Sequence, residues 1–175
     1  MALMRNIVVV EYDPHWPDLF LAEAPQVRNA LGATRNDIYH VGSTSVPGLM
    51  AKPVIDMCVA VASLQKLDER NDAMIDIGYQ PKGELGIAGR RFYSKGPDHH
   101  RTHHIHAYEV GHHEIDTHLD FRDFLRAHPE MARHYAELKS KLAARYRNDI
   151  EAYIEGKSAF ITEVLSMARE WRANG

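Results

Sequence analysis

Hydrophobic residues are spaced in two ways along this chain, and the change between them marks its elements. β-Branched or unbroken apolar runs at 6–12 (NIVVVEY), 37–41 (DIYHV) and 54–62 (VIDMCVAVA) predict strands. The last is nearly continuous, as expected of a central strand buried on both faces, and Asp56 is its one charge. Between the first two, Asp13 and Pro14 supply an N-cap and a first helical residue, and Gly32 closes the predicted helix after Leu31. Ser63 caps a second helix to about Ile77, on which Leu64, Leu67, Met74 and Ile77 recur at helical spacing before Gly78 ends it.

Further on, 90–95 (RRFYSK) and 103–109 (HHIHAYE), joined across GPDHHRT, read as a hairpin. From His112 the helical period takes over. One helix covers HEIDTHLDFRDFLRAH, a second follows Pro129, and a third runs from Asn148 to about Arg172. Tyr135, Leu138, Leu142 and Tyr146 make one stripe; Tyr153, Lys157, Phe160, Ile161, Val164, Leu165 and Ala168 make another, and both are expected to face the core. The order β-α-β-loop-β-α-β-β followed by helices predicts one α+β domain over 1–175, with a mixed β-sheet, helices packed on one face and a helical C-terminal third.

Composition narrows the function classes. A chain of 175 residues, 45% hydrophobic, can bury its own core without disulfides or metals. A net charge of −3 removes the general basic excess of nucleic-acid binders, so no nucleic-acid partner is expected. The lone Cys58 forms no internal disulfide, and the first residues, MALMRNIVVVEYDP, have neither the apolar length nor the small-residue cleavage site of a signal peptide. Apolar runs such as VIDMCVAVASL fall far short of the roughly 18 to 20 residues a membrane helix needs. The expectation is a cytoplasmic protein with no membrane segment, its oligomeric state open.

The chemistry concentrates in 40–56, HVGSTSVPGLMAKPVID. A turn holding Gly42, Ser43, Thr44 and Ser45 offers backbone N–H groups and three hydroxyls in a short space, and glycine lets a ligand approach the backbone. Phosphate is the natural guest, with Lys52 adding charge; the alternative is a serine-rich connection that holds nothing. The Gly-x-x-x-x-Gly-Lys-Ser/Thr spacing of a P-loop is absent.

The stretch HVGSTSVPGLMAKPVIDMCV resembles the opening signature of the GrpB family, which is placed in the nucleotidyltransferase fold. GIAGRRFYSKG, RTHHIHAYE, HLDFRDFLRAHPE and YAELKSKLA resemble the family's later blocks in the same order, so that the likeness spans nearly the whole chain. It implies a nucleotidyltransferase-like sheet and a nucleotide or other phosphorylated small molecule as partner. Some family members resemble a domain attached to dephospho-CoA kinases, which implies an accessory role as readily as an enzymatic one. In nucleotidyltransferases, carboxylates at alternate strand positions hold paired Mg²⁺ ions about 3.5 to 4 Å apart. By position, Gly42 and Ser43 match the turn and Asp56 matches one carboxylate, the catalytic candidate. The alternate positions, Val54 and Cys58, carry none.

Other segments offer partial substitutes. On HHIHAYE, His104, His106 and Tyr108 share one face, and beside Asp56 two imidazoles would suit a transition metal; in the opposite register Glu109 becomes a second carboxylate. The divalent cation expected is Mg²⁺ or Mn²⁺, with Zn²⁺ the weaker alternative. His113 and His118 are five apart, so the helix carries no His-Glu-x-x-His pair. Arg90, Arg91, Lys95 and Arg101 form the densest basic stretch, and Arg91 is the guanidinium expected to meet a polyphosphate. These features support two expectations: a metal-dependent nucleotidyl or phosphoryl transferase, or a non-catalytic module binding a nucleotide, a CoA-like metabolite or a partner protein.

Overall fold

β2 (Ile55–Val61) is the strand from which the site is built. In the computed structural model, which describes residues 6–33 and 36–175, it pairs antiparallel with β1 (Asn36–Val41) and parallel with β5 (His103–Glu109). The expected hairpin of β4 (Arg90–Lys95) with β5 is present, and a short β3 (Tyr79–Pro81), which the pattern did not announce, pairs with β4. The sheet order is β1-β2-β5-β4-β3, mixed as expected.

Side chains alternate across a strand, so β2 and β5 each serve two environments. On one face Met57, Val59, Val61, Ile105 and Ala107 pack with Tyr93 under α1 (Trp16–Leu31), α2 (Leu64–Asp68) and α3 (Asn71–Asp76), through Trp16, Val27, Leu31, Leu67 and Met74. On the other, Val41, Cys58 and Tyr108 are covered by Ile115 and Leu119 of α4 (His113–Ala127). α4, α5 (Pro129–Arg145) and α6 (Ile150–Asn174) form the helical last third, whose core of Phe124, Leu125, Ala132, Tyr135, Val164 and Ala168 also takes in Val46 and Leu49. The segment after β1 is therefore wedged between the sheet and the helices.

Three local expectations are corrected. The run 6–12 makes a single bridge, Val10 to Ala51, with Val8 and Val10 exposed, and the Ile7 N–H donates to the Arg147 carbonyl rather than to a strand. Asp13 does not cap α1: its carboxylate accepts from the His15 N–H at 2.9 Å, and the helix starts at Trp16 with Pro17 in its first turn. The helix that Ser63 caps breaks after Asp68 and resumes as α3, where Arg70 Nε donates to the Ala30 carbonyl at 2.9 Å and Tyr93 donates to Asn71. Contacts with α1 and β4 outweigh the continuous helical period. Among the described residues, no helix is long and apolar enough to cross a membrane.

Candidate active site at the Gly42 turn

Gly42 leaves β1 and lies directly against Asp56. Its φ of 72° and ψ of −174° belong to a region open essentially to glycine alone, and a Cβ there would stand 2.8 Å from Asp56 Oδ2. Backbone and carboxylate both demand a hydrogen at this position. A 3₁₀ turn, Ser43–Ser45, comes next.

The pairing of β2 with β5 places Asp56 beside His104 and Cys58 beside His106. Asp56 Oδ1 is 3.4 Å from His104 Nδ1 and 3.4 Å from His106 Nε2. Burial by itself would raise this carboxyl, but the two imidazoles override it and hold Asp56 well below the usual carboxylate range. Phe92, opposite His106 on β4, lies 5.2 Å from each ring centroid and braces both. Behind His106, the His118 ring of α4 stands at 4.9 Å, and burial pushes His118 down to about 4, so it is neutral. His106 Nδ1 is buried without a hydrogen-bond partner among the described residues. His118 reaches this site because it shares a helical face with Ile115 and Leu119, a signal its spacing from His113 did not carry. Glu109 points to the opposite face and caps α2 by accepting from the Leu64 N–H at 3.1 Å.

Three groups expected near a phosphate have other partners in the fold. The Thr44 hydroxyl is buried and bonded to His40 Nε2 at 2.9 Å, and Ser45 Oγ donates to the Gly42 carbonyl, so neither is presented to a ligand. Burial pushes His40 down to about 4 and keeps it neutral in this internal bond. Ser43 is half-buried at the start of the 3₁₀ turn. Arg91 lies on the face of the sheet away from Asp56, where it grips Asp68 with two bonds of 2.7 and 3.0 Å. Arg90 takes the near face but is buried, donating to the Glu84 and Leu85 carbonyls and lying over Phe92.

Lysines from the segment before β2 and from α5 and α6 lie over tyrosine rings of α5 and α6. Lys52 lies 5.9 Å from the Tyr153 ring centroid and Lys157 of α6 lies 4.5 Å from the same centroid. Lys139 of α5 lies 4.6 Å from the Tyr135 ring, and its Nζ donates to the Met50 carbonyl. Lys139 and Lys157 do not stand out in the sequence because Tyr135–Lys139 and Tyr153–Lys157 look like ordinary core stripes. The shared Tyr-x-x-x-Lys spacing on consecutive helices was the available clue.

The donors at Asp56 decide which cation the site could take. Mg²⁺ wants several oxygen ligands, and one carboxylate backed by imidazoles does not make a paired-Mg²⁺ centre. Two imidazoles and a carboxylate suit a single Mn²⁺ or Zn²⁺ in donor chemistry, although among the described residues no three His, Cys, Asp or Glu side chains are already set to hold an ion. Cys58 contributes nothing, since burial pushes its thiol up to about 12.

Comparison with known proteins gives this arrangement a family. The sequence pattern described as "GrpB protein" matches residues 6–167. The UPF0157 protein YqkA of Bacillus subtilis is 42% identical over 168 residues, 96% of this chain and 49% of YqkA, so the chain spans about half of that relative's length. A dephospho-CoA kinase of Mycolicibacterium paratuberculosis is 26% identical over 93% of this chain and 46% of the kinase. The crystal structure of the conserved protein GrpB from Enterococcus faecalis superposes with a TM-score of 0.88 at 40% identity, covering 94% of this chain and 99% of that one. A crystal structure of the Cid1 poly(U) polymerase bound to MgATP gives a TM-score of 0.48 at 13% identity over 75% of this chain and 45% of Cid1.

Proposed function

This chain belongs to the GrpB family, and from that premise we propose that it binds a nucleotide or a closely related phosphorylated small molecule at a site of nucleotidyltransferase type. The observation that carries the reading is the close seat of the Gly42–Ser43 turn on Asp56, with His104 and His106 on the same carboxylate. In this reading Ser43 and the backbone of the turn receive phosphate and Lys52 neutralises it. Asp56, His104 and His106 would hold one divalent cation, Mn²⁺ in preference to Mg²⁺, which when bound would offset charge on the phosphates.

The test is Asp56→Asn, which keeps the shape and removes the charge. It is expected to abolish the extra stabilisation that Mn²⁺ adds to a bound nucleotide, and to abolish turnover in any assay of nucleotidyl or phosphoryl transfer. Undiminished turnover by the variant would remove Asp56 from the chemistry.

One observation favours a second reading, a non-catalytic module for a nucleotide or CoA-like metabolite: Val54 and Cys58 stand where a second carboxylate would be needed. The two separate on metal. The module keeps its affinity in EDTA, whereas the transferase site binds at least tenfold more weakly there.

A further inference from the structure

We propose that the cleft between the segment after the Gly42 turn and helices α4 and α5 is a binding site for a small carboxylic acid with an aromatic or branched apolar body. The cleft has a volume of about 700 Å³; Pro47, Leu125, Pro129 and Ala132 form its apolar walls, and Arg126 and Arg133 supply its charge. A concave site of that size, mostly apolar with a few polar groups, is the form that small-molecule pockets take. Leu125 and Ala132 are buried in the core between the helices, so packing fixes this part of the wall. Pro47 and Pro129 carry no backbone N–H, which keeps donors out of the walls they form. Gly48 completes the lining with a φ of 79°, and a Cβ built on it would meet nothing within 4 Å, so bare backbone faces open space there.

The arginines decide which apolar molecule fits. Arg126 is anchored, because its Nε donates to the Ser45 carbonyl at 2.9 Å, which leaves its two terminal nitrogens as donors. Among the described residues neither Arg126 nor Arg133 is ion-paired. Asp123, the carboxylate whose charge reaches Arg126, is taken by Arg122 at 2.8 Å and by Arg172 at 3.5 Å. Burial, then the charge of Arg122, pushes Arg126 below its ordinary value, and an anion beside it would offset both. The guanidinium fork matches the two oxygens of a carboxylate. A bare anion would use the arginines and leave the apolar walls wet, whereas an uncharged ring would cover the walls and leave the arginines unpaired. An apolar acid satisfies both. The cleft backs onto the Gly42 turn through Ser45 but uses none of the groups assigned to phosphate or metal, so it stands independently of the nucleotide reading.

The experiment is a ¹H–¹⁵N NMR titration of the full chain at neutral pH with hydrocinnamate, its uncharged amide, and acetate. The proteins are wild type, Arg133→Gln and the double variant Arg126→Gln/Arg133→Gln, each first shown to unfold cooperatively. Glutamine keeps an N–H for the Ser45 carbonyl. Arg133 is exposed, so Arg133→Gln decides alone if the double variant does not fold. Hydrocinnamate is expected to shift the Gly48 amide and the Arg126 Nε of wild type and to bind about tenfold tighter than the amide or acetate, the worth of one hydrogen bond to a charged group. Its affinity should fall in Arg133→Gln and be lost in the double variant. Equal affinity for the amide, equal affinity of wild type and both variants, or shifts that leave Gly48 and Arg126 unmoved would each overturn the site. Acetate bound as tightly as hydrocinnamate would leave only a patch for anions and overturn the apolar half, and no saturable shift up to the solubility of hydrocinnamate would overturn the whole.

Discussion

At Gly42 the backbone conformation and the neighbouring carboxylate leave room for a hydrogen and nothing larger. Gly42→Ala is expected to cost about 1–3 kcal/mol from backbone strain, with the contact to Asp56 added to it. In urea unfolding, a double-mutant cycle with Asp56→Ala should recover the contact and leave the strain. A cost for Gly42→Ala below about 0.5 kcal/mol, the range of an ordinary surface change, would contradict this geometry. Legibility at this scale was uneven for physical reasons. Asp56 stood out as the one charge in an apolar strand, and His104 with His106 came from simple alternation. The same alternation offered Arg90 and Arg91 to opposite faces, and which face meets Asp56 is set by pairing across β5, a long-range fact. Thr44 showed a hydroxyl but not that His40, four residues earlier, claims it.

The turn is held as an element by the segment on its C-terminal side. Val46 and Leu49, both buried, insert into the core between α4, α5 and α6, so the helical third fixes the position of Ser43. Leu49→Ala should therefore cost about 2–5 kcal/mol, as buried leucine truncations do, and should also weaken nucleotide binding although Leu49 lies outside the binding machinery. Chemical denaturation and a binding titration on the same variant check both halves; a stability loss with unchanged affinity would uncouple the turn from the bundle. Elements with strong periodicity, β2, β5, α4, α5 and α6, were readable in the sequence. The α2–α3 break was not, because it answers to Ala30 and Tyr93, distant in the chain. Nor was the loss of the strand at 6–12, whose β-branched run was sound locally but bonds Ala51 and Arg147 rather than a neighbouring strand.

Across the whole molecule the buried histidines and lysines act in one direction below pH 9. His40 and His118 have folded values near 4, below the ordinary 6.5, so the unfolded chain takes up more protons and stability falls as pH drops from about 6.5 to 4. Lys139 and Lys157 are likewise depressed, to about 7 and about 8 from 10.5, so the unligated protein gains stability as pH rises through those values. Thermal melts at pH 5, 7 and 9 should rise in that order without ligand, and Lys139→Met should flatten the upper part of the profile. A flat profile, or a maximum at pH 5, would contradict the burial assigned to these groups.

The claim that this family member holds a phosphorylated ligand at the Gly42 turn is tested most directly by thermal unfolding of the full chain. Nucleoside mono-, di- and triphosphates and CoA precursors would each be tried with EDTA, Mg²⁺, Mn²⁺ or Zn²⁺. A ligand present at about 100 times its dissociation constant adds about 2.7 kcal/mol of stability. The account predicts a rise of that order for phosphorylated ligands, larger with Mn²⁺ than in EDTA, and little for nucleosides. No rise with any phosphorylated ligand under any of the metal conditions would contradict it.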